Sequence, residues 1–401
     1  MITGIHLEKD IEKAVEDLKY IEWTDIQIRS IPKIQEGKDV IAQSRTGSGK
    51  TATFGLPILE KIVHGNGLQV LILVPTRELC EQDNSEMRKF AKYKKMNIIP
   101  VYGGVSINPQ IDGLRHADIV VGTPGRILDH IQRRTIELSK VNVLVLDEAD
   151  KMFEMGFIDH VKRIISYLKT NRQTLLFSAT ISSQVHNIVK NYMKNPELIK
   201  VKSYVGKESL KQHYYDVPSK DKFSLLVYII KNDKPGLTII FCATRRMVDI
   251  LGKNLYKAGI QSQRLHGGMT QNRRKQAIDM FHSNKADILI ASDVAARGLD
   301  IKNVTHIINY DIPKTSNEYI HRIGRTARAG SAGKVISLLC ENDYDNFRKV
   351  LEDRSLSVEK LDLPSYEKIP LFKSSPNRDD DRRGFHKRRD FDRKRFPRRR
   401  N

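Results

Sequence analysis

The sequence predicts an α/β protein of two tandem domains, each a mostly parallel β-sheet flanked by helices, with a basic C-terminal tail. Short apolar runs alternate with stretches of helical periodicity along most of the chain, which is typical of repeated strand–helix units. The run at residues 143–146 is apolar at every position, as in strands that are buried on both faces of a parallel sheet. With 401 residues, 39% of them apolar, the chain is long enough for two domains that each bury a core.

Composition narrows the class of protein further. Lys and Arg outnumber Asp and Glu by 69 to 48, and the resulting charge of +21 favours a polyanionic partner, nucleic acid first. Cys80, Cys242 and Cys340 are too few and too scattered for a metal site or a disulfide framework, which suits a reducing compartment. No signal peptide is recognisable, and no apolar run approaches the ~20 residues that cross a bilayer. We therefore expect a cytoplasmic monomer without membrane contact.

An acidic cluster follows the apolar run at residues 143–146. Asp147, Glu148 and Asp150 would lie at the C-terminal end of a buried strand, the edge where open α/β sheets bind ligands. Carboxylates at that edge can hold Mg²⁺ and orient a water molecule. The alternative is that Asp147 only caps the next helix.

A glycine-rich loop follows the strand-like run at residues 39–42 and precedes a stretch compatible with a helix. The loop consists of Ser44, Arg45, Thr46, Gly47, Ser48, Gly49, Lys50 and Thr51. Glycines let backbone N–H groups surround a phosphate, Lys50 can reach the β and γ oxygens, and the Thr51 hydroxyl can bind Mg²⁺. Ser44 occupies the position of the usual first glycine, so the strict pattern fails by one residue. We call residues 44–51 the phosphate loop.

Three further predicted strands, at residues 70–74, 97–102 and 118–121, end on the same edge and lead into loops. These loops contain Thr76, Arg77, Gly103, Gly104, Thr123, Pro124, Gly125 and Arg126. Hydroxyl and guanidinium groups bind phosphate oxygens, and glycines allow close approach, so the loops could follow a sugar-phosphate strand without reading bases. The alternative for each loop is a turn with an incidental arginine.

The second half of the chain repeats the strand–helix alternation without a phosphate loop. We assign residues 1–205 to the first domain, 206–216 to a linker and 217–372 to the second domain. Strands are predicted at residues 238–242, 263–265, 287–290, 304–309 and 334–339. The second half is thus predicted to be a copy of the same architecture that has lost the nucleotide site.

Several motifs together resemble one family. Residues 147–150 read Asp-Glu-Ala-Asp, residues 178–180 read Ser-Ala-Thr, and residues 321–328 read His-Arg-Ile-Gly-Arg-Thr-Ala-Arg. The chain resembles the DEAD-box family of ATP-dependent RNA helicases of superfamily 2, over roughly residues 20 to 345. The resemblance implies two RecA-like domains and RNA-stimulated ATP hydrolysis with Mg²⁺. It also implies local, non-processive unwinding of RNA duplexes or remodelling of RNA–protein complexes, through largely sequence-independent contacts with the backbone of single-stranded and duplex RNA.

The resemblance also implies roles at the ATP site. Lys50 would hold phosphates, Thr51 and Asp147 would hold Mg²⁺, and Glu148 would orient and deprotonate water. Arg325 and Arg328 would approach the γ-phosphate from the second domain. Asp300 would contact the ribose, and Gln27 the adenine edge. Two departures from the family pattern, Trp23 in place of proline and Ile2 or its neighbours in place of an aromatic, predict looser adenine selection.

Other roles follow from the same resemblance. Asp150, Ser178, Thr180 and His321 would couple ATP hydrolysis to strand separation, although a strand-end hydroxyl is often a simple helix cap. RNA contacts in the second domain would come from Thr244, Arg245, Gly267, Gln271, Arg274, Arg297 and Gly298. The three-residue spacing of Arg322, Arg325 and Arg328 would place them on one face of a helix, able to converge on one anionic target. A solvated basic face is the alternative.

The tail, residues 373–401, contains thirteen Lys and Arg and five Asp, a net charge of +8, with Phe385, Phe391 and Phe396 interleaved. Such a segment cannot bury enough apolar area to offset the entropy of ordering, so we predict disorder. Arginine clusters with spaced aromatics suit sequence-tolerant RNA binding. A purely solubilising tail is the alternative.

Two rival functions share these motifs. A DNA translocase could use the same two domains, because phosphate-binding loops do not identify the sugar unless a group reads the 2′-hydroxyl. A nucleotide-dependent RNA clamp, whose role is to hold RNA rather than to unwind it, would also carry every motif.

Overall fold

In the computed structural model, which describes residues 4–44, 48–201, 210–296, 303–326, 332–353 and 356–372, the chain forms two lobes. Each lobe contains one sheet of seven described strands, and every strand pair in both sheets is parallel. The predicted fold class is confirmed. In the described ranges no helix is both long and apolar enough to span a bilayer.

The first lobe has its strands in the order β3-β4-β2-β5-β6-β1-β7. The strands are β1 (Val40–Gln43), β2 (Val70–Leu73), β3 (Ile98–Val101), β4 (Ile119–Gly122), β5 (Val143–Leu146), β6 (Gln173–Ser178) and β7 (Glu197–Lys200). The helices are α1 (Lys9–Asp17), α2 (Asp25–Gln35), α3 (Lys50–Lys61), α4 (Arg77–Phe90), α5 (Asn108–Leu114), α6 (Pro124–Gln132), α7 (Ala149–Glu154), α8 (Ile158–Ser166) and α9 (Ser183–Tyr192).

Successive strand residues point to opposite faces of the first sheet, and each face carries its own core. Val143 and Val145 pack with the helices on one face, and Leu144 and Leu146 pack with those on the other. All four side chains are at most 4% exposed. An uninterrupted apolar run is therefore the right composition for these strands, because neither face meets water.

The second lobe has its strands in the order β10-β11-β9-β12-β13-β8-β14. The strands are β8 (Leu210–Asp216), β9 (Thr238–Cys242), β10 (Gln263–Leu265), β11 (Ile288–Ser292), β12 (His306–Asn309), β13 (Gly333–Leu339) and β14 (Glu359–Leu361). The helices are α10 (Lys222–Asp233), α11 (Arg245–Lys257), α12 (Gln271–His282), α13 (Asp293–Ala296), α14 (Ser316–Ile323) and α15 (Tyr344–Leu351), with a 3₁₀ turn at Glu341–Asp343.

The linker prediction is wrong for residues 210–216, which form β8 between β13 and β14 in the second sheet. The strands β7, β8 and β14 were not predicted at all. Their sequences, Glu-Leu-Ile-Lys, Leu-Lys-Gln-His-Tyr-Tyr-Asp and Glu-Lys-Leu, lack the continuous apolar run of a central strand. Polar residues are tolerated because β7 and β14 are sheet edges and most of β8 is only half-buried.

The last described residues run along the second lobe rather than away from it. The Ser224 hydroxyl donates to the Ile369 carbonyl and accepts from the Ile369 N–H, at 3.2 and 2.9 Å. Asn254 likewise bonds both backbone groups of Phe372, at 3.1 and 3.0 Å. The second lobe therefore extends to residue 372. The tail lies outside the described residues.

Candidate active site and nucleic-acid interface

Strand order brings the phosphate loop and the acidic cluster together. Strand β6 lies between β1, which leads into the loop, and β5, which leads into the acidic cluster. With strands about 4.8 Å apart, the two ends are separated by roughly 10 Å. The Lys50 side chain spans this gap, and its Nζ lies 3.9 Å from Asp147 Oδ1.

The described part of the phosphate loop is fixed by side chains on both sides. Ser44 Oγ and Ser48 Oγ are hydrogen-bonded across the loop at 2.9 Å. Ser44, which replaces the usual first glycine, therefore helps to hold the loop together. The Gln27 amide donates to the Gly49 carbonyl at 3.2 Å and accepts from the Thr24 N–H at 2.8 Å. Gly49 has φ +85°, and a β-carbon there would collide with Gln27.

Gln27 therefore supports the loop as well as lying at the nucleotide site. It is 1% exposed, and an amide that uses one donor and one acceptor in this way keeps a second N–H and a second lone pair. Its contact with adenine stays a prediction. Arg45, Thr46 and Gly47 lie outside the described residues, as does Ile2, whose position bears on adenine selection.

The carboxylates and Lys50 form one electrostatic unit. Burial lowers the pKa of Lys50, but the nearby carboxylates, Asp147 first, outweigh it and leave that pKa above its usual value. Burial raises the pKa of Asp147 to about 6, against the opposing effect of Lys50. Glu148 caps α7 with φ +49° and ψ +49°, a left-handed conformation that is uncommon for a residue with a side chain. Strained backbone of this kind clusters at functional sites.

Asp83 is a residue of this site that the sequence analysis missed. It lies on α4, is fully buried, and its Oδ1 accepts a hydrogen bond from Thr51 Oγ1 at 3.1 Å. Burial, reinforced by Asp147, raises the pKa of Asp83 well above its usual range. The sequence contained one indication of this site. Asp83 lies at helical spacing from Leu79, Met87 and Phe90, so it places a carboxylate in the apolar stripe of α4.

The residues present fit Mg²⁺ bound together with phosphates. Thr51 and Asp147 supply oxygen ligands of the hard type that Mg²⁺ prefers. Over the residues that the structure describes, no group of three His, Cys, Asp or Glu side chains could hold a metal ion by itself. Mg²⁺ usually keeps several waters and takes other ligands from substrate phosphates.

Three of the four predicted coupling residues, Asp150, Ser178 and Thr180, are in contact. Asp150 Oδ2 accepts from the Thr180 N–H at 2.9 Å and from Thr180 Oγ1 at 3.0 Å. Ser178 Oγ donates to the Thr180 carbonyl at 2.7 Å and accepts from the Asp150 N–H at 3.3 Å. Neither hydroxyl caps the next helix, since Ser182 does so. His321 lies near the end of α14, in the second lobe.

The predicted RNA loops of the first lobe open at the same sheet edge. Thr76 is the N-cap of α4 and Thr123 the N-cap of α6, with Pro124 in the first turn of α6. Helix N-termini present free N–H groups to an anion. Gly104 has φ +82°, a conformation that favours glycine, and the Arg77 guanidinium lies where a β-carbon would project.

A cavity of about 450 Å³ joins these loops to the second lobe. It is lined by Thr76, Arg77, Glu78, Gly103, Thr123, Gly125 and Arg126 of the first lobe and by Gly267, Met269 and Arg274 of the second, among others. Thr244 and Arg245 lie at the start of α11, and Gln271 at the start of α12. Arg297 and Gly298 lie outside the described residues.

Arg274, predicted to bind RNA, has a protein partner. Its Nη2 lies 2.6 Å from Glu78 Oε1, and the two side chains are 12% and 7% exposed. This ion pair joins the lobes, because Glu78 is on α4 and Arg274 is on α12. Arg274 therefore joins the lobes in this structure, and its contact with RNA stays a prediction.

The shared helical face predicted for Arg322, Arg325 and Arg328 is wrong. Helix α14 ends at Ile323, so Arg325 lies in the following turn, where it is 4% exposed. Arg322 faces its own lobe. Its Nε and Nη2 donate to the two Asp293 carboxylate oxygens at 2.6 and 2.7 Å. Arg328 and Asp300 lie outside the described residues.

Comparisons with known proteins agree with this arrangement. The DEAD/DEAH box helicase profile matches residues 24–188, and the helicase conserved C-terminal domain profile matches residues 221–330. The chain is 41% identical over 362 residues to the DEAD-box ATP-dependent RNA helicase CshA of Geobacillus kaustophilus, covering 90% of this chain and 78% of that protein.

Two solved structures have the same fold as this chain. The structure of S. cerevisiae Dbp5 bound to RNA and ADP BeF3 matches with a TM-score of 0.81 and 31% identity, over 88% of this chain and 94% of that chain. A Dbp5 variant bound to Nup159, Gle1, IP6 and ADP matches with a TM-score of 0.62 and 30% identity, over 89% and 95%. Both lobes are thus RecA-like, and the chain belongs to the DEAD-box family of ATP-dependent RNA helicases.

Proposed function

We propose that this helicase hydrolyses ATP at the first lobe when the two lobes close over a short stretch of RNA, and that closure separates duplexes locally. The observation that carries the proposal is the cavity of about 450 Å³ lined by both lobes, beside the buried ion pair of Glu78 and Arg274. The higher TM-score against the Dbp5 structure with RNA and ADP BeF3 supports a lobe arrangement like that of this RNA-bound relative.

Positioning and charge stabilisation carry phosphoryl transfer, because the reaction needs little covalent chemistry from the protein. Lys50 and the phosphate loop hold the triphosphate. Glu148, whose backbone conformation sets the direction of its side chain, orients the attacking water and accepts its proton. Arg325 and Arg328 are the second lobe's candidates for neutralising charge in the transition state.

Thr51 and Asp147 are the residues that would hold Mg²⁺. When bound, the ion would neutralise charge on the phosphates. Lys50 is close enough to Asp147, at 3.9 Å, to keep this carboxylate oriented before nucleotide arrives.

RNA contact is proposed to be directed at the sugar-phosphate backbone. The helix N-termini at Thr76, Thr123 and Thr244 supply N–H groups, and Arg77 and Arg245 supply charge. None of these groups needs to read a base edge. The hydrogen bonds between Asp150 and Thr180 would transmit the state of the ATP site to strand separation.

The test measures ATP hydrolysis with matched RNA and DNA single strands, together with release of a labelled strand from an RNA duplex. Stimulation by RNA and ATP-dependent release are expected for the wild type, and neither for Lys50→Ala. Equal stimulation by DNA would favour the translocase. Long RNA residence without strand release would favour the clamp.

Cellular location stays a prediction from composition. Cys80, Cys242 and Cys340 are all buried free thiols, which is consistent with the reducing cytoplasm that the sequence predicts. The monomeric state is likewise a prediction.

A further inference from the structure

Asp83 is a buried carboxylate beside the phosphate loop that has no role in the proposed function so far. Its side chain is 0% exposed. Oδ1 accepts the Thr51 hydroxyl at 3.1 Å, whereas Oδ2 has no hydrogen-bond partner among the described residues. Buried polar atoms are nearly always hydrogen-bonded in native proteins, so Oδ2 lacks a partner that a bound ligand or water would supply.

The charges around Asp83 indicate the kind of ligand. Asp83 interacts electrostatically with Asp147 and Glu148, and Lys50 is the cation that interacts with all three and with Asp150. Among the described residues that these interactions involve, one ammonium group faces four carboxyl groups in a buried site, and it cannot balance all of them. A divalent cation in this site would supply the missing positive charge.

We propose that Asp83 is a positioning residue for the divalent cation of the nucleotide site. Its Oδ1 accepts the hydrogen bond that Thr51 Oγ1 donates, which leaves the lone pairs of that hydroxyl available to the cation. Its Oδ2, which has no partner among the described residues, would accept a hydrogen bond from a water molecule that comes with the cation. The inference rests on the proposed function, because Thr51 must be a ligand of Mg²⁺. Outer-shell partners of this kind are typically worth 10- to 100-fold in metal affinity.

Asp118 shows how a structural carboxylate is held in the same lobe. It is also 0% exposed, but its oxygens accept from the Gly65 and Asn97 N–H groups, each at 2.8 Å. It precedes β4 and so lies at the edge of the sheet opposite the phosphate loop. Asp118→Asn is therefore the matched control for Asp83→Asn, since each replaces a fully buried carboxylate by an amide of the same size.

The experiment measures the affinity of the full-length protein for a fluorescent ADP, first in EDTA and then over a Mg²⁺ titration. Asp83→Asn should bind ADP in EDTA about as tightly as the wild type, because the amide keeps the size of the side chain and its oxygen can still accept the Thr51 hydroxyl. The Mg²⁺ concentration that gives half of the tightening should rise about 10-fold or more. Asp118→Asn should keep the wild-type Mg²⁺ midpoint.

A double variant tests the route through Thr51. In a Thr51→Val background, Asp83→Asn should shift the Mg²⁺ midpoint little further, because effects that share one contact are not additive. Thermal unfolding in EDTA shows whether each variant is folded. The Mg²⁺ midpoint is also measured for Asp83→Ala, which removes the carboxylate instead of replacing it by an amide.

Three results would overturn the inference: a wild-type Mg²⁺ midpoint in Asp83→Asn, an equal loss of ADP affinity with and without Mg²⁺, or full additivity with Thr51→Val. The second would mean that Asp83 only supports the phosphate loop. Absence of ADP binding in the wild type would instead contradict the proposed function.

Discussion

The ion pair between Arg274 and Glu78 makes lobe closure measurable. The pair is buried, with side chains 12% and 7% exposed, and its two members belong to different lobes. When the lobes separate, both charges return to water. Arg274→Ala leaves the Glu78 charge buried and unpaired on closure, which costs about 3–5 kcal/mol for such pairs. Since 1.4 kcal/mol is tenfold, closure should become ~10²-fold less favourable or worse.

The assay is fluorescence anisotropy of a labelled single-stranded RNA with and without a non-hydrolysable ATP analogue. In the wild type the analogue should tighten RNA binding, because both ligands favour the closed state. In Arg274→Ala that tightening should shrink ~10²-fold or vanish, while RNA affinity without nucleotide changes little. Exchanging the charges, with Glu78→Arg and Arg274→Glu, should restore part of it.

Arg348 provides the control for loss of an arginine ion pair. It lies 3.7 Å from Asp345 within the second lobe, and the two side chains are 81% and 88% exposed, so Arg348→Ala should leave the coupling unchanged. If the analogue tightens RNA binding equally in Arg274→Ala and in the wild type, the ion pair does not help to close the lobes. If Arg274→Ala weakens RNA binding equally without nucleotide, Arg274 contacts phosphate, as the sequence first predicted.

Four further changes test other parts of the chain. Glu148→Gln should keep ATP and RNA binding but lower turnover by ~10²-fold or more, since the proton acceptor is lost; wild-type turnover would exclude Glu148 as the base. Arg325→Ala should barely alter ATP binding to the free protein. It should lower RNA-stimulated hydrolysis by roughly 10³-fold or more, the size of effect measured for arginine fingers. A lower melting temperature with normal stimulated hydrolysis would indicate a structural role instead. Deletion of residues 373–401 should weaken RNA binding and flatten its salt dependence by about 0.7 per lost phosphate contact; an unchanged slope would leave the tail a solubilising role. Burial lowers the pKa of His130, so its contribution to the free energy of unfolding should be fully present above about pH 6.5 and should fall as the pH drops. The slope should be at most roughly 1.4 kcal/mol per pH unit. Denaturant unfolding of His130→Gln should lack this pH dependence.

The strands and loops of the first lobe could be predicted because each motif is local. A strand buried on both faces must be apolar throughout, and a polar group at its end stands out against it, as Asp147 does after residues 143–146. The same rule fails at edges, where β7 and β14 meet water and therefore carry charged residues. The linker error at residues 210–216 has this origin, since β8 is half-buried and reads as polar.

Contacts between distant parts of the chain could not be predicted in this way. Arg274 and Glu78 each lie among other charged residues in the sequence, which is typical of a solvent-exposed surface. They become buried against each other only because the two lobes come together. Asp83 is intermediate. Its position on the apolar stripe of α4 was visible in the sequence, but its partner Thr51 belongs to a different helix.

A hydroxyl at the end of a strand can cap the next helix, contact a ligand, or do both, and the structure separates these cases. Thr244 caps α11 by accepting the Met247 N–H at 3.1 Å, and that contact leaves the remaining free N–H groups of the helix end available to phosphate. A cap and an RNA contact can therefore be properties of one residue. Ser178 and Thr180 differ, because their hydroxyls bond the Asp150 region and Ser182 takes the capping role. Thr180 and Ser178 lie two and four positions before the N-cap residue Ser182, too early to cap α9, and the Thr180 hydroxyl is held by the carboxylate of Asp150 from another strand end. These contacts support the proposal that the two hydroxyls couple the motifs rather than start the helix.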